Sequence, residues 1–208
     1  MSWEKRKEAL KIELCELMIK IGALKFGAFT LSSGILSPYY VDLRIVPSFP
    51  DAYQKVEYIF SEMAKNDVGL DRFKRIAGIP TAGVPFASVL AYNLSKPFLY
   101  VRKKEKTHGR ERRVEGMLYP GDKVLLVDDL ITKGTNLVNA AEAVKAEGGV
   151  IEDVLVLIDR EEGGKKTLDT LGIELHSLMQ MSEAVRILFD MEAITKEELQ
   201  AILKQIKK

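Results

Sequence analysis

The sequence has almost no cysteine and no long apolar run. Of 208 residues one is cysteine, Cys15, so neither a disulfide framework nor a cysteine metal cluster can be assembled. Cys15 lies within an amphipathic helical pattern of Leu10, Leu14, Leu17, Met18 and Ile21, which suits a reducing cytoplasm. No stretch approaches the roughly 20 apolar residues of a membrane span, and the opening "MSWEKRKEAL" lacks a signal peptide's apolar core. An excess of one charge is also missing: Lys+Arg number 31 and Asp+Glu 30, a net charge of +1, so the whole chain gives no electrostatic reason to bind nucleic acid. There is no internal repeat and no low-complexity linker. These absences predict a soluble cytoplasmic protein without membrane or nucleic-acid partners. With 47% hydrophobic residues it can bury a core as a single domain.

What is present alternates. Residues 3–22 read as an amphipathic helix, 24–44 as an irregular stretch with strands, and 51–65 as a helix started by a Ser-Phe-Pro-Asp turn. Strand and helix then alternate: "RIAGIP" leads to "FASVLAYNL", "PFLYVR" to a charged loop, and "KVLLVDD" to "TNLVNAAEAVKAEGG". "VIEDVLVLIDR", a short helix near 163–171, "IELHSL" and two C-terminal helices complete the chain. This order predicts an α/β fold with a mainly parallel sheet flanked by helices. The expected core is about 45–170, with a small cap formed by 1–44 and 171–208, where the alternation fails.

"VLLVDDLITKGTNL", residues 124–137, is the most informative segment. Four aliphatic residues without alternation predict a strand buried on both faces, and Asp128 and Asp129 follow where open α/β sheets place ligand sites. Thr132-Lys133-Gly134-Thr135-Asn136 then leads into a helix, so free backbone N–H groups and hydroxyls form an anion cradle. Neither the Walker spacing nor GxGxxG is present. A phosphate cradle beside two carboxylates suits a phosphorylated ribose with a vicinal diol or Mg²⁺. Read alone, the same residues are a strand, a solvated Asp pair and a capped helix.

"RKKEKTHGRERR", residues 102–113, carries seven basic residues (Arg102, Lys103, Lys104, Lys106, Arg110, Arg112 and Arg113) against Glu105 and Glu111. It is long for a connection inside a compact domain. It contains no aromatic residue, so the base-stacking platform of a nucleic-acid site is missing.

The segment "VLLVDDLITKGT" resembles the phosphoribosyl pyrophosphate (PRPP) motif of the type I phosphoribosyltransferases. Four further segments are similar to the orotate phosphoribosyltransferases among them. Arg102, Lys103, Lys106, His108 and Gly109 follow that family's loop pattern, "FTLSSGILSPYYVDLR" (29–44) resembles its N-terminal signature, and "LIDREEGG" (157–164) places Arg160 where the family holds orotate; read alone, Arg160 is equally a salt-bridge partner of Asp159, Glu161 or Glu162. "AGIPTAGVPFA" (77–87) looks like its pyrophosphate-lining loop. Many members carry Lys at Ser32, and some at Ala82; Ser32 is given no charge role, and backbone amides of Thr81 to Gly83 stand in for the side chain at Ala82.

The resemblance implies transfer of phosphoribose from PRPP to orotate with Mg²⁺ as cofactor. Asp128 and Asp129 would hold the ribose hydroxyls and Mg²⁺, directly or through water, as catalytic residues. Leu130, Ile131, Thr132, Lys133, Gly134, Thr135 and Asn136 would cradle the 5′-phosphate. Arg102, Lys103, Lys106 and His108 would meet the pyrophosphate, with Lys106 and His108 catalytic. Thr132, Arg160, Tyr39 and Tyr40 would hold orotate, Arg160 through its carboxylate. It also implies a homodimer in which Lys103, Lys106 and His108 serve the partner's site. A phosphoribosyltransferase for another base, or a PRPP-sensing regulator on the same fold, would share the PRPP motif.

Overall fold

In a computed structural model that describes residues 2–30, 36–102 and 112–206, the chain begins with helix α1 (Trp3–Lys20) and a hairpin of β1 (Leu24–Thr30) and β2 (Leu36–Val41). A 3₁₀ turn (Leu43–Ser48) leads to α2 (Pro50–Met63), which has Pro50 in its first turn, where a missing N–H costs nothing. The alternating body follows: β3 (Arg75–Gly78), α3 (Gly83–Asn93), β4 (Phe98–Val101), β5 (Val114–Glu115), β6 (Val124–Val127), β7 (Leu130–Ile131), α4 (Thr135–Ala146), β8 (Asp153–Asp159), α5 (Gly164–Asp169) and β9 (Glu174–Gln180). Helices α6 (Met181–Asp190) and α7 (Lys196–Ile206) end the described chain.

The larger sheet runs β5-β4-β3-β6-β8-β7, with β9 on the other side of β8. All its pairings are parallel except that of β4 with β5. Strands β3, β6 and β8 are buried along their whole lengths, as expected when helices cover both faces. Within β6, Leu125 and Val127 join one core cluster with α1, α2, α3 and α6, whereas Val124 and Leu126 join another with α4. The strand's twofold alternation therefore feeds two cores at once.

The sequence reading ends the strand of residues 123–129 at the Asp pair; the structure carries the pairing further. Leu126 opposes Val154 and Leu130 opposes Ile158, the same offset, so β6 and β7 are one line of pairing along β8. The Asp128 amide donates to the Leu155 carbonyl (3.1 Å) and the Leu157 amide to the Asp129 carbonyl (3.0 Å). On the opposite side the last β3 pair is Gly78 with Val127. Asp128 and Asp129 thus occupy a step in the sheet where one neighbour stops and the other continues.

The two ends of the chain meet. Lys11 of α1 reaches Glu183 of α6 (2.9 Å), and Ser37 of β2 hydrogen-bonds Gln205 of α7 (3.3 Å). Among the described residues no helix is long and apolar enough to cross a membrane.

Candidate active site

The step in the sheet is closed over by the start of α3. A Cβ at Gly83 would lie 2.3 Å from the Val127 carbonyl oxygen and 3.0 Å from Asp128 Oδ1, so only glycine allows α3 to approach the carboxylates this closely. The Gly83 amide donates to the Ile79 carbonyl (3.0 Å). The Gly83 backbone also hydrogen-bonds the Asp128 carboxyl, which pulls that carboxyl's pKa down against the effect of burial. The Pro80-Thr81 peptide bond is cis.

Asp128 is buried and Asp129 half-buried. Asp128 Oδ1 accepts the Asp129 amide (3.0 Å) and Asp129 Oδ1 accepts the Leu130 amide (2.9 Å). Burial, and then the neighbouring charge of Asp129, push the Asp128 carboxyl well above the usual carboxylate range. Burial also raises Asp129, against the opposing pull of the Leu130 amide, other local donors and the charge of Arg44. Two carboxyls crowded together and raised in this way lack compensating positive charge. They are hard oxygen donors of the kind Mg²⁺ takes, and the residues fit such an ion.

Just beyond them α4 begins without a side-chain cap. Its N-cap is Gly134, left-handed at φ 80°, and its first turn carries no acidic residue. The first bond back is from the Val138 amide to the Gly134 carbonyl (2.9 Å), so the amides of Thr135, Asn136 and Leu137 have no intrahelical acceptor. Thr132 is half-buried, and Lys133, Thr135 and Asn136 are exposed. The loop leans on α5: a Cβ at Gly164 would fall 2.4 Å from the Thr132 carbonyl oxygen. The result is an open helix N-terminus facing solvent beside the Asp pair, a geometry suited to a phosphate.

Arg160 lies next to this loop because Ile131 pairs with Asp159, and the Arg160 amide donates to the Ile131 carbonyl (2.9 Å). Thr132 and Arg160 are therefore neighbours across the ends of two strands. The Arg160 guanidinium is 5.1 Å from the centre of the Tyr39 ring, and Arg160 is 7% exposed, Tyr39 1%. Burial pushes the Tyr39 phenol up, opposed by the Arg160 charge. Arg160 Nε and Nη2, the pair that forms the side-on fork of a guanidinium, have no hydrogen-bond partner. Nη2 is 2.8 Å from Glu162 Oε1, near enough for Coulomb attraction but outside hydrogen-bond alignment.

Tyr39 and Tyr40 follow each other on β2, so they point to opposite faces. Tyr39 is covered by Arg160, whereas Tyr40 packs against Phe29 (5.7 Å) and accepts from Arg44 Nη2 (2.9 Å). The two rings therefore stand on opposite sides of β2. Arg102 follows β4, two strands from β6, and is paired with Glu115 (3.1 Å). Lys103, Lys106 and His108, with Gly109 and Ser32, lie outside the described residues. The reading from sequence missed Arg44, whose fork grips Asp42 (2.6 and 2.9 Å) and whose charge reaches Asp129. Its signal was its place as the last residue of the 29–44 signature.

Residues 50–173 match the family described as Phosphoribosyl transferase domain. A protein of Cenarchaeum symbiosum called orotate phosphoribosyltransferase is 44% identical over 167 residues, 80% of this chain and 84% of that protein. The crystal structure of orotate phosphoribosyltransferase from Aeropyrum pernix superposes with a TM-score of 0.72 at 33% identity, covering 86% of this chain and 99% of the other. The structure of Leishmania donovani UMP synthase gives a TM-score of 0.83 at 28% identity; it matches 94% of this chain, which spans only 42% of that larger one.

Proposed function

This chain belongs to the phosphoribosyltransferases, and within them to the orotate phosphoribosyltransferases; from that premise we propose how its residues carry the reaction. A 5-phosphoribosyl group passes from PRPP to orotate, giving orotidine 5′-phosphate and pyrophosphate in pyrimidine biosynthesis. Orotate N1 attacks ribose C1 as pyrophosphate leaves the opposite face, through a transition state with oxocarbenium character. Such a reaction asks for positioning, charge balance and exclusion of water more than for covalent help.

The observation that carries the reading is the vacant fork of Arg160. A buried guanidinium whose Nε and Nη2 make no aligned hydrogen bond fits a planar carboxylate that accepts two parallel hydrogen bonds, and orotate differs from uracil by such a group. Thr132 stands beside it, and the base lies over the Arg160 end of the site. From there the sugar-phosphate extends along the loop: the 5′-phosphate on the open amides and hydroxyls of residues 132–136, the ribose hydroxyls at Asp128 and Asp129. Those carboxylates favour a sugar ring that is becoming cationic. Asp128 and Asp129 would hold Mg²⁺, directly or through water, and the ion would supply positive charge against the departing pyrophosphate. Arg102, Lys103, Lys106 and His108 hold the pyrophosphate, and Lys106 and His108 take up its developing charge. We further assign the enzyme to the cytoplasm, which suits a sole cysteine that is free and buried, and to a homodimer with shared sites.

The direct test is a spectrophotometric comparison of orotate and uracil with PRPP and Mg²⁺. Leaving a buried Arg160 without its carboxylate costs about 1–3 kcal/mol, so kcat/KM for uracil should be lower by roughly 5- to 150-fold. Equal values for the two bases would overturn the assignment of orotate.

A further inference from the structure

The Arg160 fork has a carboxylate already beside it, and its placement is unusual. Glu162 Oε1 is 2.8 Å from Nη2, with side-chain exposures of 9% for Arg160 and 32% for Glu162, yet neither Nη2 nor Nε has a hydrogen-bond partner. Glu162 thus lowers the electrostatic cost of burying the guanidinium while leaving its strongest donor pair unused. Its neighbours are committed elsewhere. Glu161 Oε2 accepts the Ser182 amide (2.7 Å) and Asp159 Oδ1 accepts the Glu161 amide (2.8 Å). The turn that brings Glu162 back over Arg160 is built from two residues in the left-handed region, Glu161 at φ 59° and Gly163 at φ 92°.

We propose that Glu162 is a displaceable counter-ion of Arg160, a specificity-setting residue that the carboxylate of the incoming base must evict; this rests on the assignment of orotate's carboxylate to Arg160. A half-exposed, misaligned ion pair is weak, whereas a carboxylate aligned on both Nε and Nη2 makes two charge-assisted hydrogen bonds. The substrate therefore wins the guanidinium and Glu162 turns out toward water. A neutral base has no group with which to evict Glu162, so the pair stays closed against it. Part of the affinity for the acidic base is spent on this exchange, and Glu162 touches neither reacting atom.

Steady-state kinetics of the full chain at saturating PRPP test this with Glu162→Gln, Glu162→Ala, Arg160→Ala and the double variant Arg160→Ala/Glu162→Gln. Removing the Glu162 charge should lower KM for orotate by about two- to tenfold, the range of a weak to moderate ion pair. The KM for PRPP and kcat should not change, since only binding of the base is relieved. In the Arg160→Ala background Glu162→Gln should have no effect, because the partner is gone. A turn that merely needs Glu162 for its shape would instead raise KM for both substrates. If Arg160→Ala raises the orotate KM but neither Glu162 variant lowers it, the counter-ion proposal fails and the assignment of Arg160 stands. If Arg160→Ala leaves the orotate KM unchanged, the assignment itself fails.

Discussion

Glu57 sits on the inner face of α2, 3% exposed, and neither of its carboxylate oxygens has a hydrogen-bond partner. Burial raises its pKa to about 8, so in the folded protein it holds a proton that the unfolded chain releases near pH 4. The sign follows from proton counting. Between about pH 4 and 8 the native state binds more protons than the unfolded state, so stability is greatest at the acid end and falls as pH rises through that window. Glu57→Gln removes the titration. Its unfolding free energy should lose the component that falls with pH, and by pH 8 to 9 it should have gained on the parent by an amount on the order of a few kcal/mol. Denaturant titrations from pH 5 to 9 that run parallel for the two proteins would contradict this. Nothing in the sequence announces it. Residues 51–65 read as one helix because Ala52, Val56, Ile59, Phe60 and Met63 recur on one face, and these are buried. A glutamate among them reads as a solvated residue. Arg160 was legible through its neighbours "LIDREEGG", and Glu162 only as one of three acidic residues, with Asp159 and Glu161, that could pair with it; the pair with Glu162 is the one that forms, and its alignment is not encoded in sequence spacing.

The strands and helices of the body were legible because burial on two faces leaves uninterrupted aliphatic runs, such as Val124–Val127 and residues 154–158 of β8. Element ends were harder. The helix expected over 86–94 begins at Gly83, since its first turn packs against backbone and needs no large apolar side chain. The strand containing the Asp pair outlasts its apolar residues because β8 keeps pairing past the point where β3 stops. This contact between α3 and β6 carries a prediction at the same scale. A methyl group at Gly83 would overlap the Val127 carbonyl and crowd Asp128, so one of the two elements must shift. Gly83→Ala should destabilise the fold by about 1–3 kcal/mol, as overpacking does, and lower kcat by roughly 10²-fold if Asp128 moves by an ångström. Gly121→Ala is the control. Its φ of 80° strains any side chain, but nothing lies within 4 Å, so it should reduce stability and leave kcat unchanged. Equal kcat for parent and Gly83→Ala would show that the close approach serves packing alone.

At the scale of the whole molecule the sheet holds the two halves of the site at different places. The proposed base and phosphate end lies where β7, β8 and α4 meet, whereas Arg102 and Arg113, which flank the basic segment, sit at the β4–β5 edge of the sheet, where the Arg102 amide donates to the Arg113 carbonyl (2.7 Å). Two strand spacings, roughly 10 Å, separate β4 from β6. A loop that folds back over its own site must be ordered without a fixed wall, which costs conformational entropy. The proposed twofold dimer would remove that difficulty by letting each subunit's loop close on the body of the other, with Lys106 acting in trans on the Asp129 of its partner. Two inactivated variants, Lys106→Ala and Asp129→Asn, separate the arrangements. Each alone should lose roughly 10²-fold in turnover, the scale of one preorganised electrostatic contact. Mixed in equal amounts and co-refolded, about half the molecules should be heterodimers, and each should contain one site with both defects and one with neither. Activity should then return to roughly a quarter of that of the parent protein, by counting sites on the twofold dimer. If subunit exchange is demonstrated independently, for instance by mass-tagged chains, and the mixture stays as inactive as its parts, each loop serves its own subunit.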